Sequence, residues 1–367
     1  NDKVSVTYRS EIGWKDVSDR YDLATTHRFK MTADGSAFDL TSGSREVDAD
    51  GLSDNLYPSN IVFDYQDEIF DKGIFNSHYA SVAGGGEKAR YLFSYQRLQD
   101  EGIIALVEDY RRDNFRLNLD NNISDKVSLK TSFFYSNSNR DGSLGGGIAG
   151  TNPLFEALLT EPIYDWNALN EEDGSLYNFD ANTFDANLYN PLYQLANQDK
   201  VEKRNRFLGN VSLDYKVLPW LKLNGAYSID FENNTFEDYI PKGYLSASPD
   251  GQAQNIGFIQ RSNFNGRAQN IRLNSLITKS FGSEDEFNLN LRLSYLHERY
   301  ANEFNNAEGY NLAVSGIRSL DNIAGGPTVS SATQEILTDS YFAVADFDYK
   351  KKYIFSGVIR REGSSLF

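Results

Sequence analysis

The side chains best able to do chemistry in this chain are scattered rather than gathered. His27, His78 and His297 stand far apart, without metal-ligand spacing, and read as structural. Cysteine is absent, which removes disulfides, a thiol nucleophile and a Cys-ligated metal. The Gly145, Gly146, Gly147, Gly150 cluster lacks the Gly-Lys-Ser/Thr ending of a phosphate loop and reads as a flexible loop. Asn170-Glu171-Glu172-Asp173-Gly174-Ser175 faintly resembles a calcium loop, but its spacing departs from that pattern. A solvated turn is the plainer account, with calcium in that loop the remaining cofactor option. No Ser-His-Asp or paired-carboxylate arrangement emerges, so no enzyme is expected.

Two regions remain as candidate binding sites. From Asp141 to Asp199 there are ten acidic residues and no Lys or Arg. That segment is either a solvated surface or a contact for a partner or a metal ion. Its aromatics (Phe155, Tyr164, Trp166, Tyr177, Phe179, Tyr189 and Tyr193) either stack on sugar rings or pack the loop's own core. Tyr164, Trp166 and Tyr177 are the ligand-contact candidates among them. The second region is a row of polar residues that includes Arg116 and Asp120, and its meaning depends on the elements that carry it.

Those elements alternate with period two. From Asn114 to Ile123, Phe115, Leu117, Leu119, Asn121 and Ile123 make one mostly apolar face, while Asn114, Arg116, Asn118, Asp120 and Asn122 make a polar one. After Ser124-Asp125-Lys126, Val127, Leu129, Thr131, Phe133 and Tyr135 alternate with Ser128, Lys130, Ser132, Phe134 and Ser136. The same pattern predicts eleven strands: Lys3–Ile12, Ile74–Gly84, Lys88–Gln99, Tyr110–Ile123, Val127–Asn139, Arg204–Tyr215, Leu221–Phe231, Ala268–Lys279, Glu286–Arg299, Tyr341–Tyr349 and Tyr353–Ile359. Short helices are expected at Gln66–Phe70 and Pro153–Leu159, with strand pieces near Phe29 and Phe38. Many of the strands match the nine to eleven tilted residues that cross a bilayer within a barrel.

The connections alternate strictly between long and short. Residues 13–72, 140–200, 232–266 and 300–338 are long loops, and 100–109 is an intermediate one. Between them lie turns such as Gly84-Gly85-Gly86-Glu87, Val217-Leu218-Pro219 and Lys350–Lys352. That asymmetry is expected of an up-and-down transmembrane barrel with short periplasmic turns and long extracellular loops. Aromatics recur near strand ends (Tyr110, Tyr135, Tyr215, Trp220, Phe231, Tyr295, Tyr341, Tyr349, Tyr353), where membrane interfaces favour them. The polar faces, with Arg116, Asn118, Asp120, Lys130, Lys222, Asn224, Asp230, Arg272, Asn274, Asn290, Arg292, Asp346 and Asp348, would then line a lumen.

Composition is consistent with this. The 367 residues carry 36 basic and 52 acidic side chains, a formal charge of -16, which argues against a nucleic-acid partner. No run of eighteen apolar residues occurs, so no transmembrane helix is expected. The mean hydropathy of -0.53 is compatible with a barrel, since only alternate strand residues meet lipid. No signal peptide opens the chain and both ends look cut, so a fragment of a longer protein is expected.

The segment Ser81-Val82-Ala83-Gly84-Gly85-Gly86-Glu87-Lys88-Ala89-Arg90-Tyr91-Leu92-Phe93-Ser94, continued by Leu98-Gln99-Asp100-Glu101-Gly102-Ile103, resembles the SusC/RagA-like TonB-dependent outer-membrane transporters. Further matches are Gln66-Asp67-Glu68-Ile69-Phe70, Arg116-Leu117-Asn118-Leu119-Asp120, Leu218-Pro219-Trp220-Leu221-Lys222 and Arg360-Arg361-Glu362-Gly363-Ser364-Ser365. Departures are Gly86, Glu362 and Leu366. The resemblance implies an all-β, antiparallel barrel of twenty-two strands with an N-terminal plug. Residues 1–367 would be its N-terminal half, without plug, TonB box or C-terminal strands. It also implies import of glycan oligomers or peptides in the outer membrane, a SusD-like surface lipoprotein as lid, and TonB acting through the missing N-terminal region. The alternative is a SusC-like structural subunit of a larger outer-membrane assembly, such as secretion or insertion machinery, with other complex subunits as partners.

Overall fold

The structure, a computed structural model, describes residues 3–57, 62–107, 110–141, 153–171, 173–179, 190–245, 256–282 and 286–366. Eleven strands pair in chain order into one antiparallel sheet: β1 (Ser5–Lys15), β2 (Gly73–Gly85), β3 (Ala89–Asp100), β4 (Tyr110–Asn122), β5 (Val127–Asp141), β6 (Asp199–Leu218), β7 (Leu221–Ile240), β8 (Phe258–Phe281), β9 (Phe287–Tyr310), β10 (Thr328–Tyr349) and β11 (Tyr353–Ser364). Strands β1 and β11 each have one neighbour in the sheet. All five tight turns lie at one rim, and the long connections lie at the other.

Register aligns the same face from strand to strand. One row runs Val82, Phe93, Leu117, Phe133, Gly209, Ile229 across six strands. The adjacent row on the opposite face runs Ser94, Arg116, Phe134, Leu208, Asp230. A one-residue slip of any strand would exchange its faces, so the alternation itself fixes the pairing. At the β2–β3 turn Gly85 has φ +132°, and a Cβ there would lie 2.1 Å from the Ala89 carbonyl oxygen. Only glycine fits that turn.

Among the described residues nothing covers the apolar face. Leu213 is 43% and Leu273 51% exposed, and Leu117, Phe133 and Val211 are half-buried. In water so continuous an apolar surface would drive aggregation, whereas in hydrocarbon it is the face expected of a spanning sheet. Aromatic pairs edge the band on both sides. Tyr95–Phe115 (4.8 Å) and Tyr295–Tyr341 (5.1 Å) lie toward the long-loop rim, and Phe287–Tyr349 (4.7 Å) and Tyr349–Tyr353 (6.4 Å) lie at the tight-turn rim. No helix among the described residues is long and apolar enough to cross a membrane.

Strands β6 to β10 are longer than their hydrophobic periodicity predicts, with 20, 20, 24, 24 and 22 residues. The loops expected at 232–266 and 300–338 shrink to 241–257 and 311–327. Beyond the apolar band both faces are polar, so the period-two signal vanishes while the backbone ladder continues. Side chains reinforce it there: Asn233 Nδ2 donates to Asn265 Oδ1 (2.7 Å), and Gln260 Nε2 donates to Asn306 Oδ1 (2.9 Å). At about 3.4 Å per residue a 24-residue strand is about 80 Å long, well over what a bilayer needs.

Candidate functional site

Most of the buried hydrophobic residues lie in the connections at the long-loop rim. Three short helices, α1 (Tyr65–Ile69), α2 (Pro153–Leu159) and α3 (Pro191–Asn197), bring Tyr65, Ile69, Ala157, Trp166 and Leu192 into one cluster. Local sequence starts two of them. The Asp64 carboxylate accepts from the Gln66 N–H at the start of α1; Asn190 Oδ1 accepts from the Leu192 N–H at the start of α3, whose first turn holds Pro191. The Trp166 ring stacks on Tyr65 at 3.9 Å and 13°. The Tyr65 hydroxyl donates to the Glu161 carbonyl oxygen (2.6 Å) and accepts from the Tyr164 N–H (3.1 Å). Arg45, from the β1–β2 connection, pairs with Glu161 across both guanidinium nitrogens and lies 3.9 Å over the Phe38 ring. The first two long connections therefore form a single cap.

Of the two readings of the aromatic candidates, the structure favours packing. Trp166 is 1% exposed, with one ring face on Tyr65, and Tyr164 and Tyr177 pack against the same cluster. Trp166 holds the loops together from inside the cluster, while Tyr164 and Tyr177 are half-buried at its edge. Asn170 is buried; its amide donates to Ser175 Oγ (2.9 Å) and the Tyr177 carbonyl (3.0 Å), and its Oδ1 accepts from the Phe179 N–H (2.7 Å). That stretch is a bonded turn closed at Gly174 (φ 70°). Glu172, Tyr189 and the Gly145–Gly150 cluster lie outside the described residues. Among the described residues no three His, Asp or Glu side chains converge as a metal site.

The cap buries a histidine. His27 is 5% exposed, between Phe38 and Tyr57. Its Nδ1 accepts from the Phe29 N–H (3.1 Å), so the proton sits on Nε2 and is donated to the Leu56 carbonyl (3.0 Å). Burial holds its pKa below the ordinary 6.5. The unfolded segment then binds the proton more readily than the folded one. Stability from this group is complete above about pH 6.5 and is lost as pH falls toward the folded pKa. Hydrogen exchange of residues 26–56, corrected for intrinsic rates, is expected to accelerate below about pH 6.5 in the wild type and to lose that pH dependence in His27→Asn. Equal pH dependence in both proteins would exclude His27 as the cause.

The other candidates, Arg116 and Asp120, lie on the polar face of β4, as period two requires. They do not form one site. Asp120 sits toward the tight turns, in register with Lys130, while Arg116 lies higher, with its guanidinium 5.4 Å from the Phe134 ring centroid. Arg116 borders a hollow of about 480 Å³ in the polar face. Ser94, Ser136 and Ser138 give the hollow short side chains, and Tyr79, Leu92, Phe134, Arg112, Arg116, Arg204 and Arg206 line it as well. Arg206 is bidentate to Asp230 (3.0 and 2.7 Å), and Arg204 holds Glu232 (2.8 Å). Arg112, Arg204 and Arg206 were not singled out from the sequence. They share the parity of the polar row, and following that parity past the apolar band would have found them.

With this geometry in view, similarity to known proteins is informative. No family model matches the chain. The TonB-dependent receptor P26 of Formosa agariphila is 28% identical over 335 residues, 85% of this chain and 30% of the relative. The TonB-dependent receptor SusC of Bacteroides thetaiotaomicron is 24% identical over 383 residues, 99% of this chain and 35% of the relative. The chain thus spans about a third of the length of the curated relatives it matches. Among solved structures, the RagAB peptide importer in its 'open-open' state aligns with a TM-score of 0.74 and 14% identity over 100% of this chain and 42% of that one. The resemblance stated from the sequence motifs is thereby supported over nearly the whole chain, and the fold matches part of the β-barrel wall of that importer.

Proposed function

We propose that residues 1–367 form the N-terminal half of the barrel wall of a SusC-like, TonB-dependent nutrient importer in the outer membrane. The observation that carries this reading is the uncovered apolar face, aligned strand by strand and backed by a polar face, in a chain similar to SusC over 99% of its length. A half-wall cannot act alone, because unpaired strand edges in hydrocarbon cost several kcal/mol per backbone group. The remaining strands, a plug and a TonB-contacting segment would complete the machine. Cargo would be a glycan oligomer or a peptide, held at the long-loop rim beneath a SusD-like lipoprotein lid. The packed cap gives such a lid a firm surface: its Tyr65–Trp166 core and Arg45–Glu161 pair tie two connections together.

Deletion of the gene is expected to abolish growth on at least one oligomeric nutrient. The full-length gene should restore growth, and a version lacking its TonB-contacting segment should not. Unchanged growth on every oligomer tested would contradict import. Co-purification with secretion or insertion machinery, alongside intact uptake, would point instead to a structural subunit.

A further inference from the structure

Resting on the transporter reading above, we propose that the serine-rich hollow in the polar face is a cargo site selective for oligomers bearing carboxylate groups, with Arg112 and Arg116 as its anion-binding residues. Acidic side chains outnumber basic ones 52 to 36 in the whole chain, yet four arginines border this single depression. Two of them are already neutralised, Arg206 by Asp230 and Arg204 by Glu232. Arg112 and Arg116 make no ion pair among the described residues. Arg112 Nε is buried without a hydrogen-bond partner, and so is Asn114 Oδ1, between the two arginines on the same face of β4. A buried guanidinium N–H left without an acceptor is costly, and a carboxylate oxygen is the acceptor that suits it best.

The spacing fits an oligomer better than a single small anion. Arg112 and Arg116 are four residues apart on one strand, about 14 Å at the usual rise. Between them the register places Ser136 and Ser138 of β5 opposite Asn114 and Arg112, so short side chains leave room for a chain lying along the wall. Phe134 and Tyr79 add apolar faces beside the cations, and Gln96 and Asn114 add amides for neutral polar groups. A carboxylate every few units would meet one arginine after the other, while the units between rest on serines and rings. Acidic peptides and uronic-acid oligosaccharides share that chemistry.

Calorimetry on the purified full-length protein tests this with four probes of matched length: an oligoglutamate, an oligoglutamine, a uronic-acid oligosaccharide and its neutral counterpart. At least one acidic probe is expected to bind about tenfold or more tighter than its neutral partner, with affinity that falls as salt rises. The two acidic arms show whether the carboxylate comes from peptide or sugar. R112Q/R116Q should erase the preference, R112K/R116K should keep part of it, and K222Q, on the same face near the tight turns, should leave it unchanged. Heat-modifiable gel mobility confirms that each variant retains its barrel. Binding of neutral and acidic probes with equal affinity, or a preference that survives R112Q/R116Q, overturns this inference and leaves the transporter reading standing. So does an R112Q/R116Q effect confined to the exchange protection of a plug. No binding of any probe, together with no uptake defect on deletion, overturns both.

Discussion

Val211→Arg is expected to lower the stability of the folded barrel in a bilayer by about 2–4 kcal/mol, the cost of arginine facing lipid near the midplane. Val211 sits midway along the apolar run of β6, between Phe207 and Tyr215, with Thr131 and Tyr227 as its cross-strand neighbours. The adjacent Ser212 points to the other face, where Asn224 Nδ2 donates to its hydroxyl at 3.2 Å. Ser212→Arg is therefore expected to cost at most about 1 kcal/mol, since a polar lumen face tolerates the charge far better. Urea unfolding of the full-length protein in vesicles measures both. A large cost at 212 and none at 211 would reverse the assignment of faces. Large and similar costs at both would mean that each face packs against protein.

The second large effect belongs to the cap. Trp166→Ala removes the largest buried side chain in the structure and leaves Tyr65 facing a void. Core truncations of this size cost about 3–5 kcal/mol. Because the cap is joined to the sheet by its connections and packs mainly on itself, the loss should be local. Hydrogen exchange at α1 and α3 is expected to rise steeply, while the ladder from β3 to β9 keeps its protection. Loss of protection throughout the sheet would show that cap and wall fold as one unit. An unchanged α1 would show that the stack contributes little.

Where one face is apolar and the other polar, the sequence reads almost directly as structure. Strands β2 to β5 begin and end within two residues of the positions their alternation predicts, because lipid on one side and a polar face on the other imprint period two. The upper halves of β8 and β9 carry no such imprint. Arg261-Ser262-Asn263 and Asn305-Asn306 are polar on both faces, and their strand identity comes from pairing with each other. Helix α3 is legible in principle, since Asn190 is a capping residue followed by Pro191 at the first helical position. The acidic, loop-like composition around it masks that signal. The cap was the least legible part. The Tyr65–Trp166 stack and the Arg45–Glu161 pair join residues about a hundred positions apart, and no local spacing announces such a contact. For that reason sequence alone leaves Trp166 open between ligand stacking and packing, and the structure places it in packing, while Arg116, read from strand parity, borders the candidate site.

Residues 1–367 hold no cysteine, so in a full-length protein freed of any cysteine elsewhere, single cysteines can be placed one at a time along β6 from 207 to 215 and spin-labelled in vesicles. Labels at 207, 209, 211, 213 and 215 are expected to relax with a lipid-soluble quencher, and labels at 208, 210, 212 and 214 with a water-soluble one. A profile without that two-residue alternation, or with the odd positions closed to the lipid-soluble quencher, would contradict the claim that the oily face of this sheet meets the membrane.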